Sequence, residues 1–426
     1  MKQIFKGANI LIPSEKTDKT KWSVVACDQY TSDKKYWNEV EEIVGDSPST
    51  LKITLPEIFL EEGNVEERIE NINKTMNDYI NNDIFTTLEN SYVYTERTLK
   101  NGMIRRGIIG VLDLEEYNFN KGSVSAIRAT EGTVLDRLPP RIKIRENAPL
   151  ELPHVMILID DDNCSVIEPV AEKANDELEK VYDFKLMQNS GYIKGYKLPE
   201  QSQIAEEMQK ALTRLADKDV FEKKYNLKDT DILHFAVGDG NHSLATAKSC
   251  WDMKKLNLDS THPARYALVE LVNLHDTSLQ FEAIHRVVFD INPDDVIKKL
   301  KEYYPQIEIS DIPVDIPEGF HHFTIVTTKG NLYAILKDPI CNLSVGSLQN
   351  FIDDYIKSVG GKVDYIHGDD AVKENVSETS IGFLLSTMTK NQLFETVIKD
   401  GALPRKTFSM GHAEDKRFYL EAKTIV

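Results

Sequence analysis

Six consecutive residues carry most of the chemistry this sequence offers: Gly238, Asp239, Gly240, Asn241, His242 and Ser243. They follow an apolar run, Ile232, Leu233, Phe235, Ala236 and Val237, whose length and composition suit a buried strand. A small, helix-forming stretch comes next, with Leu244, Ala247 and Trp251 at i, i+3 and i+7. Strand, glycine turn and helix together make an anion site. The first N–H groups of a helix lack intrahelical partners, the dipole is positive there, and glycine lets a phosphate approach the backbone. Asn241 or Ser243 is the expected N-cap. Asp239 at an anion site calls for a cation or a hydroxyl beside it, and that combination is what phosphoryl transfer needs.

Two further segments hold reactive side chains. Arg128, Glu131, Thr133, Asp136, Arg137, Arg141 and Arg145 fall close together, in a stretch that Gly132, Pro139 and Pro140 mark as irregular rather than helical. Near the end of the chain, Arg405, Lys406, Thr407, Ser409 and His412 supply cations and hydroxyls. A His285-Arg286 pair sits inside an apolar strand pattern and could add a cation to an anion site. Asp160, Asp161 and Asp162 read as an acidic turn, because the mid-loop glycine and closing glutamate of a calcium loop do not follow.

The motif GDGNHSLATA resembles the (D/G)-G-x-H-R box of the ParB/sulfiredoxin superfamily. It is especially similar to the DGHHR box of archaeal free-serine kinases and of the domain-of-unknown-function 1015 family. ATEGTVLDR, at 129–137, resembles a second segment of that family and a PHE segment of the serine kinases, where Glu131 takes the position of a catalytic glutamate. His285-Arg286 resembles a third, and PRKTFSMGH, at 404–412, resembles the family's closing signature and a substrate-holding stretch of the serine kinases. Two departures stand out: Ser243 replaces the arginine after the histidine, and Thr130 replaces the histidine before the glutamate.

The resemblance implies an α/β fold with a mixed sheet, a ParB/sulfiredoxin-like core carrying extensions at both ends. It implies a nucleotide-dependent phosphotransferase acting on a small hydroxyl compound, interconverting serine and phosphoserine, with ATP or ADP and Mg²⁺ as cofactors. Glu131, Asp239 and His242 would be catalytic, with Asp239 also the candidate Mg²⁺ ligand. Gly238, Gly240, Asn241, Ser243, Arg128, Arg137, His285 and Arg286 would bind nucleotide or phosphate. Arg405, Lys406, Thr407 and His412 would hold the substrate. The alternatives are a ParB-like nucleotide switch and a non-catalytic ligand-binding protein. Sulfiredoxin-like redox repair would need a thiol where Asn241 stands, and an amide cannot act as that nucleophile.

The elements that must position these residues read as three regions: an N-terminal α/β region at 1–90, the core at 91–290 and a C-terminal α/β region at 291–426. Val24 to Cys27 and Leu51 to Leu55 read as strands, Asn64 to Asn81 and Gln201 to Asp217 as helices. Lys100-Asn101-Gly102 between apolar runs is a hairpin signal. The chain has 426 residues, 41% of them hydrophobic and 28% charged, which are globular values. A net charge of −18 argues against a sequence-independent grip on nucleic acid, which needs a basic face. The four cysteines form no CxxC pair, so a zinc knuckle or redox dithiol is not supported. No membrane span or leader pattern is legible, and the expected setting is cytoplasmic, with no nucleic-acid or membrane partner. GxxxxGK[ST], HExxH and GxSxG motifs are missing from the sequence.

Overall fold

Strand β3 (Phe85–Thr98) and strand β4 (Ile104–Asp113) form the hairpin expected around Asn101-Gly102, with Gly102 at φ +84° in the turn. In this computed structural model, which describes residues 3–120, 122–317, 319–411 and 413–426, that hairpin lies in a large mixed sheet. The sheet also contains β1 (Phe5–Lys6), β2 (Ala8–Pro13), β5 (Ile127–Ala129), β7 (Met156–Ile159), β8 (Glu179–Lys185), β9 (Tyr192–Pro199), β10 (Phe235–Asp239) and β11 (Tyr266–Asn273). The short strand β6 (Leu150–Glu151) pairs instead with Lys423–Thr424 at the chain's end. The order is β5-β10-β7-β11-β4-β3-β9-β8, with β1 on β4 and β2 on β3. Pairs β5/β10 and β7/β11 are parallel and the others antiparallel.

Both faces of this sheet are buried. Tyr92 and Tyr94 of β3, Ile108 and Leu112 of β4, and Val269 and Leu271 of β11 enter one apolar cluster. Their alternate neighbours Val93, Ile109, Val111 and Leu268 enter another. That is the period-2 consequence of a pleated strand covered on both sides. Helices α1 (Lys19–Trp22), α2 (Lys34–Val44) and α3 (Val65–Asn81) bring Trp22, Trp37, Val40 and Met76 to the second cluster. On the first, α5 (Glu168–Glu177) and α6 (Gln203–Leu215) contribute Val170, Ala174, Met208 and Leu212.

Three expectations fail locally. Val24 to Cys27 is not a strand: only Val25 makes an isolated bridge, to Phe418. Residues 51–55 are not a strand: Thr50–Ile53 is a 3₁₀ turn started by the Ser49 side chain. The stretch judged irregular contains helix α4 (Leu138–Arg145), with proline at its first positions. Proline is well suited there, because the N–H it lacks would have no helical partner. Helix α7 (Lys218–Tyr225) and helix α8 (Asn241–Lys254) flank β10 in sequence.

The chain divides into two compact units, Met1–Leu279 with His412–Val426, and Gln280–Gly411. Residue 90 therefore falls inside the first unit, where β1 and β2 join the same sheet as β3 and β4. The second unit has its own sheet, ordered β13-β15-β14-β17-β12-β16 with β18 on β12. Its strands are β12 (Phe281–Phe289), β13 (Ile307–Ser310), β14 (His321–Thr327), β15 (Gly330–Leu336), β16 (Lys362–His367), β17 (Ser380–Leu385) and β18 (Phe408–Met410). Helices α9 (Pro293–Tyr303), α10 (Ser344–Val359), α11 (Asp369–Glu374) and α12 (Lys390–Asp400) complete it. No helix among the described residues is long and apolar enough to cross a membrane.

Candidate functional site

Strands β5 and β10 run parallel, with Ala129 opposite Val237. Their carboxyl ends therefore emerge side by side, and the Glu131 and Asp239–Ser243 segments leave the sheet at one edge. The carboxyl ends of parallel strands are where open α/β sheets bind ligands. Two contacts tie the segments together. The Val134 N–H donates to His242 Nε2 at 3.3 Å, and Asn241 Nδ2 reaches Thr130 Oγ1 at 3.4 Å. Thr130, where the resemblance expects histidine, is buried and donates to the Val237 carbonyl at 2.6 Å. Glu131 is half-buried two residues beyond β5.

The turn itself is shaped by its glycines. Val237 pairs with Ile157 and Asp239 with Met156, so Gly238 is an extra residue in β10. Such a bulge re-aims the side chain that follows. A Cβ on Gly238 would come within 2.7 Å of Leu158 Cγ, so this glycine serves close packing. Gly240, at φ +78°, is the N-cap of α8, and no side chain caps that helix. This corrects the expectation of Asn241 or Ser243. Both belong to the first helical turn, and their side chains go to Thr130 and His154.

Asp239 receives two bonds. The Gly240 N–H donates to Oδ1 at 2.9 Å and Lys416 Nζ to Oδ2 at 3.1 Å. Burial alone would raise this carboxyl. The Lys416 charge and hydrogen bond, with the Gly240 N–H, overcome that and hold it below the usual range. Its side chain keeps 29% exposure, so an ionised carboxylate remains within reach of a ligand. His242 moves the other way on the pH scale for a base. Burial, then the charges of Arg141 and Arg137, lower it, so it is a neutral imidazole at neutral pH. Because Nε2 accepts from Val134, its proton sits on Nδ1.

Ser243 Oγ lies 2.6 Å from His154 Nε2, and His154 Nδ1 lies 2.8 Å from the Tyr419 hydroxyl. Tyr419 in turn donates to Cys27 Sγ at 3.1 Å. Ser243 thus begins a half-buried chain of hydrogen bonds across three distant segments. Arg128 is 4% exposed and donates to the carbonyls of Val124, Ser125 and Asp231. Its geometry holds the backbone that leads into β5, not a phosphate. Arg137 is exposed and acts on His242 electrostatically.

His285, Arg286, Arg405, Lys406 and Thr407 belong to the second unit. Arg286 is fully buried, with donors on Gln349 and on the carbonyls of Ile284 and Arg405. His285 accepts from the Leu385 N–H at 3.1 Å and pairs with Asp369 at 3.0 Å. Arg405 pairs with Asp353 at 3.0 Å, and its guanidinium lies 5.5 Å from the Tyr365 ring centre, where Arg286 lies at 5.2 Å. Thr407 donates to the Pro404 carbonyl at 2.6 Å, and Lys406 holds φ +55° between them. These bonds shape a turn within the unit. His412 lies outside the described residues.

Residues 11–356 match the family described as a protein of unknown function, DUF1015. The chain belongs to this family. No curated protein sequence matches it. Among solved structures it is similar to a free serine kinase in complex with AMP, at 12% identity and TM-score 0.38, covering 74% of this chain and 90% of that one. A point variant of a free serine kinase in complex with ADP gives 11% and 0.39, covering 75% and 92%. A conserved hypothetical protein from Pyrococcus furiosus gives 12% and 0.35, covering 73% and 95%.

In this DUF1015 member the residues that sequence reasoning missed are Lys416, His154, Tyr419 and Cys27. None has a local signature. His154 sits in what reads as an apolar strand, and Lys416 in a charged tail. One signal was legible: a buried-looking Asp239 needs a cation, and the nearest lysine in space comes from the chain's far end.

Proposed function

We propose that this chain is a nucleotide-dependent phosphotransferase acting on a small hydroxyl compound, in the manner of a free-serine kinase. The observation that carries the reading is the shared edge of β5 and β10. It sets an acidic residue at the end of each strand, Glu131 and Asp239, around a helix start that no side chain caps. Phosphates would rest on the N–H groups of the first turn of α8, with Gly240 leaving the approach clear. Glu131 would take the proton of the acceptor hydroxyl. Ionised Asp239 would orient that hydroxyl, and Lys416 would offset the charge gathering there. Neutral His242 would donate from Nδ1. The arginine expected at position 243 would be replaced electrostatically by Arg137 and Arg141, the two guanidiniums that act on His242.

Among the described residues, no three His, Cys, Asp or Glu side chains gather as a metal cluster. Mg²⁺ would therefore arrive on the nucleotide phosphates, with Asp239 the protein carboxylate at the turn, a mode this ion often uses. Bound Mg²⁺ would neutralise phosphate charge.

Calorimetric titration with ADP tests the anchor of this reading. Wild type is expected to bind saturably, and Gly240→Val, which obstructs the turn, to bind at least tenfold more weakly, roughly the loss of one or two charge-assisted hydrogen bonds. Equal affinity in the two proteins would remove the turn from the nucleotide site.

A further inference from the structure

The hydrogen-bond chain from Cys27 to Ser243 ends at a cavity whose apolar wall phosphoryl transfer does not use. Its volume is about 160 Å³, close to that of an engineered apolar cavity, about 150 Å³, which admits benzene. Ile53, Leu55, Met76, Leu150, Ala247 and Leu268 make much of its wall. Its charged lining groups are already paired. Arg141 pairs with Glu57, and Arg145 with Glu151, which also meets Lys423 at 3.3 Å. Burial pushes the Cys27 thiol up to about 12 and the Tyr419 phenol well above its ordinary value, so both stay protonated at neutral pH. An ion entering would lose its hydration and meet no open counter-charge.

The Tyr419 hydroxyl donates its single proton to Cys27 Sγ and accepts the Cys27 N–H at 3.3 Å. It must then accept from His154, so the imidazole carries its proton on Nδ1. Whichever way the Ser243–His154 bond runs, the Ser243 oxygen keeps a lone pair for a donor in the cavity.

We infer that this cavity is a separate ligand site for an uncharged molecule of about benzene size that carries one hydroxyl or N–H, donated to Ser243 Oγ. The ring or short branched body would fill the apolar end beneath α8, and the donor would complete the chain that starts at Cys27. The cavity shares Ser243 and Arg141 with the phosphotransferase site proposed above, so the test below leaves nucleotide and Mg²⁺ out.

Phenol, toluene and benzoate are titrated against the full chain without nucleotide or Mg²⁺, followed by saturation-transfer NMR. Phenol is expected to bind about fivefold more tightly than toluene, the value of one neutral hydrogen bond, and benzoate not to bind. Ser243→Ala is expected to erase phenol's advantage and leave toluene unchanged. Ala247→Leu is expected to exclude both by filling the cavity. If circular dichroism shows that variant unfolded, Ala247→Val takes its place and is expected to weaken both. The inference is overturned if wild type binds neither phenol nor toluene, if benzoate binds as well as phenol, if Ser243→Ala keeps the phenol preference, or if a folded filling variant binds normally.

Discussion

Gly240 is the residue on which the turn's geometry depends most. Its φ of +78° lies in the left-handed region, and a Cβ there would stand 3.0 Å from Val155 Cα. Gly240→Ala is therefore expected to cost about 1–2 kcal/mol in urea unfolding, more than the few tenths of an exposed change. Lys416 makes a different prediction. It helps hold Asp239 below the ordinary carboxylate range against burial that pushes the other way. With Lys416→Met, the Asp239 carboxyl should titrate at higher pH, and the acid limb of the activity profile should move upward with it. An unmoved limb would mean that Asp239 is not the group that must be ionised. The glycines and Asp239 were legible because they are contiguous and chemically unusual. Lys416, His154 and Tyr419 were not, since only the tertiary fold brings 154 and 416–419 to 239–243.

The elements were legible where one local signal dominates. The Asn101-Gly102 hairpin and the amphipathic helices α3 and α6 lie where period and turn chemistry place them. Helix α4 was hidden because its prolines read as breakers, although at the first positions they start a helix. The 3₁₀ turn at Thr50–Ile53 alternates like a strand, and only its Ser49 cap and its packing decide otherwise. Docking of β10 against α6 yields a pH prediction. His234, just before β10, donates from Nε2 to the Leu212 carbonyl at 2.9 Å, and burial lowers its imidazole to about 4. The unfolded chain would take up this proton near the ordinary value of about 6.5, whereas the native state refuses it until about 4. The stabilisation is thus complete above pH 6.5 and lost as pH falls toward 4, by about 3 kcal/mol. Urea unfolding at pH 7 and 4.5 should show a smaller difference for His234→Gln than for wild type. Equal differences would count against the assignment.

At the scale of the molecule, the chain's end is built into its beginning. Leu11 exchanges backbone bonds with Ala422, Tyr419 N–H donates to the Val24 carbonyl, and Trp22 Nε1–H to the Leu420 carbonyl. Arg417 is buried against Glu270 at 2.6 Å and against Glu421, while Arg97 donates to the carbonyls of Glu414 and Lys416. Removing one member of a buried pair strands the other, so Arg417→Ala is expected to destabilise by about 3–5 kcal/mol in denaturant. A change below about 1 kcal/mol would show the network to be replaceable at the level of an exposed pair. The sequence reads as successive regions because patterning is local, and a terminal segment that returns to the first sheet leaves no pattern to read. Family membership was legible from four short motifs, three of which lie within the matched residues 11–356. The central claim, phosphoryl transfer at the β5/β10 edge, is tested most directly by turnover. The full chain is incubated with Mg²⁺, ATP or ADP and a panel of hydroxyl amino acids, and phosphorylated products are followed by mass spectrometry in both directions. Wild type is expected to interconvert serine and phosphoserine, and Glu131→Ala and Asp239→Ala to lose at least a hundredfold in rate, the scale of a lost general base. No turnover by wild type on any of the panel, or full turnover by both variants, would contradict it.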